Sequence, residues 1–333
     1  MKKRNLLVSL ALLLSLSLTA CGGGGGQGNA GGGAGGGGGQ ASNDPNQLII
    51  ATGGTGGTYY PLGGGMAEQI TKNAGITATA QSTGASAENL RLIRDKKADI
   101  AFTQSDIADY ASKGTEMFQQ DGKIDFQAIG ALYNETIQIV VAPDSGINSV
   151  ADLKGKRVSV GAPGSGTELN AKQILEAYGL KFEDLQLQRL SFADSAKAIQ
   201  DGQLDAAFQT AGTPTAAITE LAATTGVKII PVDADKIDAL ISKYPFYVKT
   251  TIPGKTYETV PDDVTTVSVK SLLVVRSDLS EDLVYKVTKA IFDNIDKLGH
   301  AKAKEIKVEE ALAGISLPVH PGAKKYFTEK GVK

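Results

Sequence analysis

The residues best suited to chemistry here are the hydroxyls and bare backbone of two glycine-rich strings. They are Thr52-Gly-Gly-Thr-Gly-Gly-Thr58 and Gly161-Ala-Pro-Gly-Ser-Gly-Thr167. Each follows a short apolar run and leads into a segment with helical periodicity, so each ends at a helix N-terminus. The first four N–H groups of a helix have no partner within it, and the helix dipole adds partial positive charge there. Together they make an anion site that needs neither Lys nor Arg. Glycine lets a ligand approach the backbone closely, because no Cβ intervenes. The candidate ligand donors are therefore Thr55, Gly56, Gly57, Thr58 and Tyr59 in the first string and Ser165, Gly166 and Thr167 in the second. A carboxylate or a phosphate is the natural occupant.

Catalytic readings of the same strings fail on residue type. Gly161 and Gly166 have the spacing of a nucleotide-triphosphate loop, but Thr167 stands where the lysine is required. Gly54-Thr-Gly56 begins a dinucleotide fingerprint whose third glycine position is Tyr59. Gly164-Ser165-Gly166 has the wrong spacing for a nucleophile elbow. There is no His-Glu-x-x-His, and no Ser–His or Cys–His pair near the turns. The two histidines, His300 and His320, read as surface or satisfied core residues. The expectation is a protein that is not an enzyme, without catalytic residues, metal or cofactor.

The elements that position these strings recur along the chain. Leu48–Ala51 reads as a strand, followed by the first turn and a helix with Pro61 near its start and Leu62, Met66 and Ile70 on one face. Ile76–Gln81 alternates as a strand. Ser86 then caps a helix carrying Leu90 and Ile93, and Asp99-Ile-Ala-Phe-Thr-Gln104 is a buried strand. The same order returns 108 residues later. It comprises a strand at Arg157–Val160, the second turn, and a helix opened by the capping box Ser165-Gly-Thr-Glu168 with Leu169, Ile174 and Leu175 inward. A strand at Leu185–Leu190, a helix near Ala193–Gln200 and the strand Asp205-Ala-Ala-Phe-Gln-Thr210 complete it. Gly53 to Asp99 spans 46 residues and Gly161 to Asp205 spans 44. Strands alternating with helices predict mainly parallel sheets with right-handed crossovers, and two copies predict two similar lobes. Ligands of such sheets sit beyond the C-terminal strand ends. If the lobes face one another, both turns point into one cleft. At the ends of the repeated third strands, Gln104, Ser105, Gln209 and Thr213 are placed to orient a ligand. An ammonium on that ligand would need an acid, for which Glu135 and Glu168 stand nearest. Glu168 also serves as the capping residue. Tyr59 and Tyr60 diverge at a helix start, one toward the cleft and one onto its own lobe.

The remaining sequence sets the location. Lys2, Lys3 and Arg4 precede thirteen nearly pure apolar residues, Leu6–Leu18. That is short of the roughly 20 a membrane span needs and suits a signal peptide. Leu18-Thr19-Ala20-Cys21 resembles the lipobox of bacterial lipoproteins, and Cys21 is the only cysteine. The resemblance implies cleavage before Cys21 and lipidation of its thiol. Without a second cysteine, no internal disulfide can hold the fold. Residues 22–47, mostly glycine, have too little apolar surface to offset their ordering entropy. They read as a tether with a typical reach of about 25–30 Å. The formal charge is −2, and loss of Lys2, Lys3 and Arg4 takes it to −5, which argues against nucleic acid as a partner.

The strings Ala51–Pro61 and Val158–Glu168, with Asp152-Leu-Lys-Gly-Lys-Arg157 and Leu317-Pro-Val-His-Pro-Gly-Ala323, resemble the TAXI family of TRAP transporter solute receptors. The resemblance runs from about Leu48 to Lys333. It implies the two-lobe α/β fold of type II periplasmic binding proteins, with lobe 1 at 48–137 plus 253–333 and lobe 2 at 138–252. The chain would cross near Gln138-Ile-Val-Val and again between Tyr247 and Pro253, with a last strand at Thr266–Val275 and a helix at Glu281–Leu298. The resemblance also implies a small carboxylate ligand such as glutamate, glutamine or an oxo-acid, and an integral-membrane carrier driven by an ion gradient. With Cys21, it implies a monomer anchored by lipid on the outer side of the membrane. Two alternatives stay open: a ligand-sensing lipoprotein that signals to a membrane receptor, and an enzyme such as porphobilinogen deaminase or ATP phosphoribosyltransferase on the same fold.

Overall fold

The computed structural model describes residues 44–332. The expected signal peptide, Cys21 and most of the tether lie outside these residues. The last tether positions, 44–47, belong to the folded body. Asp44 accepts hydrogen bonds from the N–H and Oγ of Ser280 (2.8 and 2.5 Å), and Gln47 begins the first strand.

The first repeat forms β1 (Gln47–Ala51), α1 (Tyr59–Ala74), β2 (Thr77–Gln81), α2 (Ser86–Arg94), β3 (Ile100–Gln104) and α3 (Ser105–Lys113). β1 pairs in parallel with both β2 and β3. Every residue of β3 is buried, as befits a parallel strand covered on both faces. α1 buries Leu62, Met66 and Ile70 and ends at Gly75, whose φ of 70° is the left-handed stop that glycine supplies. Ser86 is not the cap expected of it. Ala85 holds the N-cap position, and the Ser86 hydroxyl accepts from the Gln104 N–H instead.

β4 (Gln127–Val141) then carries the chain out of the first lobe. The second repeat follows: β5 (Arg157–Ser159), α4 (Gly166–Ala177), β6 (Gln186–Gln188), α5 (Phe192–Gln200) and β7 (Ala206–Ala211). β5 is parallel to β6 and β7. Ser165 caps α4 by accepting from the Glu168 N–H. The other half of the expected capping box is shifted, since Glu168 Oε2 takes the Gly164 N–H, one residue upstream of the cap. α6 (Ala216–Thr224), β8 (Lys228–Ile230), α7 (Ala234–Lys243) and β9 (Val248–Ile252) complete this half. β10 (Val264–Val275) returns to the first sheet, and α8 (Glu281–Phe292) and α9 (Pro321–Glu329) pack beneath it. α8 ends six residues before the expected Leu298, because Asn294 leaves helical geometry (φ −132°). Both histidines are satisfied at 3₁₀ or α-helix starts, His300 by the Lys302 N–H and His320 by the Gly322 N–H.

β4 and β10 run antiparallel through both halves and weld the sheets. β4 pairs with β7 and β8 only from Thr136 onward. β10 pairs with β9 as far as Ser268 and with β3 from Ser271. The return therefore lies within β10 and not between Tyr247 and Pro253. The intervening Tyr257, Val260 and Val264 pack on Ile218 and Leu221 of the second lobe, and Val267 joins its other core. Each lobe has apolar clusters on both faces of its sheet, the burial that removes most apolar area from water and drives such layers together.

Candidate functional site

Parallel strands end at the same edge, and in both lobes those edges face one another. Between them lies a cavity whose space, counted out to where it opens to solvent, is about 560 Å³. Four helix starts reach it: Thr58 and Tyr59 of α1, Ala85 and Ser86 of α2, Ser165 to Thr167 of α4, and Ser191 and Phe192 of α5. No Lys, Arg or His lines it. Each start contributes unpaired N–H groups and the positive end of a helix dipole, so the lining favours an anion without a fixed cation. Some donors are already engaged. The Ala87 and Glu88 N–H groups of α2 both donate to the Gly164 carbonyl across the cleft (3.1 and 3.4 Å), and Ser191 Oγ caps the Asp194 N–H.

The cavity wall in the first lobe has a different character. Glu135, on β4, is 2 % exposed, and its Oε1 has no hydrogen-bond partner. Tyr59, Ser271 and Gln104 lie beside it, as does Tyr133. The Tyr59 and Tyr133 hydroxyls, Ser271 Oγ and Gln104 Oε1 also lack partners. Burial pushes the Glu135 carboxyl up to about 8 against the partial relief given by these neighbours, because an apolar surround disfavours the charged form. Tyr59 also packs on Phe102 with ring centroids 4.9 Å apart, and its hydroxyl lies beside Glu135. Nearby Asp106, fully buried at the start of α3, is raised to about 6 by burial.

The lobes are held shut over this cavity. Asn170 of α4 accepts from Gln104 Nε2 (3.0 Å) and Thr210 Oγ1 (3.1 Å). It donates to Asp106 Oδ2 and the Tyr247 hydroxyl, both at 3.0 Å. All of its hydrogen-bonding capacity is thus used. Thr58 Oγ1 accepts from the Gly212 N–H (3.1 Å), and Gly56 O accepts from the Ala217 N–H (3.2 Å). At Gly166 the approach is so close that a Cβ would lie 1.4 Å from Gln104 Oε1.

Of the residues singled out from sequence, Gly57, Thr58, Tyr59, Gln104, Glu135, Ser165, Gly166 and Thr167 are brought together around the cavity. The others are not. Thr55 is exposed on the turn. Gly56 packs against Ala193 and Ala217, where a Cβ would meet both at 3.1 Å. Ser105 opens α3 outside the lining. Glu168 is occupied by the Gly164 N–H and by Arg189 (2.6 Å). Gln209 is buried in β7 with its amide unpartnered, and Thr213 is half-buried beyond the end of β7; neither lines the cavity. Tyr60 is 37 % exposed and lies on the outer side of its own lobe, beside Ala67, Ala78 and Ala80. Residues not anticipated include Thr83, Tyr133, Thr210 and the starts of α2 and α5. Strict repeat register carries a signal for Thr210, since counting from Asp99 and Asp205 pairs Gln104 with Thr210 and not with Gln209. It also places two helix starts per repeat, not one, beyond the strand ends.

Among the described residues, no three His, Cys, Asp or Glu side chains gather as they would around a metal ion. No helix among them is long and apolar enough to cross a membrane.

The sequence model of the NMT1-like family matches residues 50–331. An aliphatic sulfonates-binding protein of Escherichia coli (strain K12) is 43 % identical over 68 residues, which are 20 % of this chain and 21 % of that protein. The match therefore spans about a fifth of that relative's length. A solved structure from Bordetella bronchiseptica RB50 superposes with a TM-score of 0.52 at 20 % identity, covering 86 % of this chain and 82 % of that one. PhnD1 from Prochlorococcus marinus (MIT 9301), in complex with methylphosphonate, gives 0.52 at 14 % identity over 79 % and 89 % of the two chains. Likeness at such identities is likeness of fold, here the two-lobe α/β fold of periplasmic solute-binding proteins with its mixed sheet and flanking helices.

Proposed function

The chain belongs to the NMT1-like family, and from that premise we propose that it is an extracytoplasmic solute receptor that hands a small carboxylate to a membrane carrier. The observation that carries this reading is the convergence of four helix starts on one closed inter-lobe cavity without Lys or Arg. Such a cavity holds a small anion through backbone N–H groups and hydroxyls. Glutamate, glutamine, a dicarboxylate or an oxo-acid fits both that chemistry and the resemblance of the glycine-rich strings to TAXI receptors. The same resemblance supports a TRAP carrier driven by an ion gradient, and the Leu18–Cys21 run supports lipid anchoring of the receptor outside the membrane. Nothing in the lining supplies a nucleophile with its base, so binding and release, with hinge opening at β4 and β10, suffices as mechanism. A second reading keeps the receptor and exchanges the anion. The Escherichia coli relative is named for aliphatic sulfonates, and a sulfonate or phosphonate would meet the same N–H groups.

The test is a thermal-shift screen of the purified protein against these carboxylates, an alkanesulfonate and methylphosphonate. A ligand at 100 times its dissociation constant stabilises the fold by about 2.7 kcal/mol. Ser165→Asp keeps a good helix cap but puts a carboxylate in the lining, and it should weaken any anion at least about tenfold. A shift with sulfonate or phosphonate alone would replace the carboxylate. A shift only with a neutral solute, insensitive to Ser165→Asp, would remove the anion reading altogether.

A further inference from the structure

The first-lobe wall of the cavity offers acceptors where the helix starts offer donors. Glu135, Gln104, Tyr59 and Tyr133 present buried polar atoms in the cavity wall, Glu135 Oε1 among them outside ideal hydrogen-bond geometry, and Ser271 lies beside Glu135. They come from β4, β3, α1 and β10, so the sheet itself holds them in place. Buried polar atoms are nearly always paired, and four such side chains in one cavity wall are matched to a ligand group. A carboxylate and an amide oxygen accept only, and hydroxyls accept as readily as they donate. An ammonium group has three donors and one positive charge, and would satisfy such a set. A second carboxylate would find no cation in the lining and would be repelled by any ionised Glu135.

Resting on the carboxylate reading above, we propose that the Glu135 subsite takes an ammonium group, so that the solute is an amino acid and not a plain dicarboxylate or oxo-acid. Its carboxylate lies at the starts of α1 and α4 and its amine against Glu135. Besides Glu135, the titratable groups facing this point are Tyr59 from α1, Tyr133 from β4 itself and Asp106 from α3. Tyr59 and Tyr133 are held well above their ordinary range by burial, so neither adds charge at neutral pH. Burial, by raising the Glu135 carboxyl to about 8, favours its protonated form near neutrality. An arriving cation favours its ionised form and expels the proton. Gln104 Oε1 lies against Gly166 of α4 while its Nε2 reaches Asn170, so the amide beside Glu135 also spans the closed cleft.

The experiment is calorimetry of the purified protein at pH 7 with glutamate and glutamine, with glutarate and 2-oxoglutarate, and with butylamine, in buffers of different ionisation heat. The expected result is that the amino acids bind at least about tenfold more tightly than the amine-free acids and release about one proton. Glu135→Gln should weaken binding of the amino acids and remove that preference. Equal affinity for amine-free acids, or proton uptake on binding, overturns the proposal and leaves the carboxylate reading standing. A Glu135→Gln variant that weakens both classes alike would make Glu135 structural. Should that variant not fold, the sign of proton exchange in the wild-type protein decides alone. Binding of butylamine without any carboxylate would keep the subsite and sink the carboxylate reading, and no binding by any probe would overturn both.

Discussion

Glu135 ties the protein's stability to pH with a definite sign. Its folded-state value of about 8 lies above the ordinary 4.5, so the folded chain holds a proton that the unfolded chain has lost. The resulting stabilisation is complete below about pH 4.5 and falls away as pH rises toward 8. Asp106, raised from 3.8 to about 6, acts in the same direction over a lower window. The melting temperature of the ligand-free protein should fall between pH 5 and 8, and Glu135→Gln should flatten that slope; a flat wild-type profile would mean that the carboxyl is not desolvated as described. Gly166 is the other decisive single residue. A methyl there would strike Gln104 Oε1 at 1.4 Å, and turning Gln104 aside breaks its bond to Asn170. Gly166→Ala should therefore weaken ligand affinity at least about tenfold and lower the melting temperature, as titration and calorimetric melts would show.

The repeat has a physical meaning at the level of elements. Asp99 and Asp205, which open the matched third strands, do the same work in each lobe. Asp99 Oδ2 accepts from the Ile49 N–H of β1 (2.9 Å) and Asp205 Oδ2 from the Arg157 N–H of β5 (2.7 Å). Each carboxylate thus locks the register between the first and third strands of its sheet, which in turn sets where the glycine-rich turns emerge. Their surroundings differ. Asp99 pairs with Arg276 where the two side chains are only 7 % and 10 % exposed, whereas Asp205 and its partner Arg157 are 26 % and 39 % exposed. Breaking a buried pair leaves an uncompensated charge, at about 3–5 kcal/mol, while a half-exposed hydrogen-bonded carboxylate is worth about 1–2 kcal/mol. Urea denaturation should rank Asp99→Ala well below Asp205→Ala in stability; equal losses would refute the burial argument.

For the molecule as a whole, closure rests on Asn170. Its side chain joins Gln104 and Asp106 of one lobe to Thr210 and Tyr247 of the other. Asn170→Leu keeps similar bulk but leaves those groups buried and unpaired, at about 1–3 kcal/mol for each orphan. The variant should populate an open form, seen as a larger radius of gyration in small-angle scattering that shrinks only at high ligand concentration. An unchanged radius with full affinity would place the closing energy elsewhere. Because β4 and β10 both pass from lobe to lobe as continuous strands, opening must bend the sheet where partners change, near Thr136 and between Ser268 and Ser271.

The amino-acid sequence alone determined the two repeats, the helix faces such as Leu62, Met66 and Ile70, and the glycine-rich turns at helix starts. Those features follow from periodicity and backbone freedom within about a dozen neighbouring residues. Eight of the residues at the cavity were legible for the same reason, since a strand-to-helix turn in an α/β repeat emerges at a known edge. Register within the repeat would have yielded Thr210 as well. Tertiary structure alone decided the rest. Ser271 and Tyr133 meet Glu135 only because β10 returns beside β4, a pairing between segments more than 130 residues apart. The late return through β10 was likewise invisible, because residues 253–267 are held in the second lobe by burial of Tyr257, Val260 and Val264 against α6. Local sequence carries no record of which distant apolar surface a segment will cover, and it is that covering which buries Glu135.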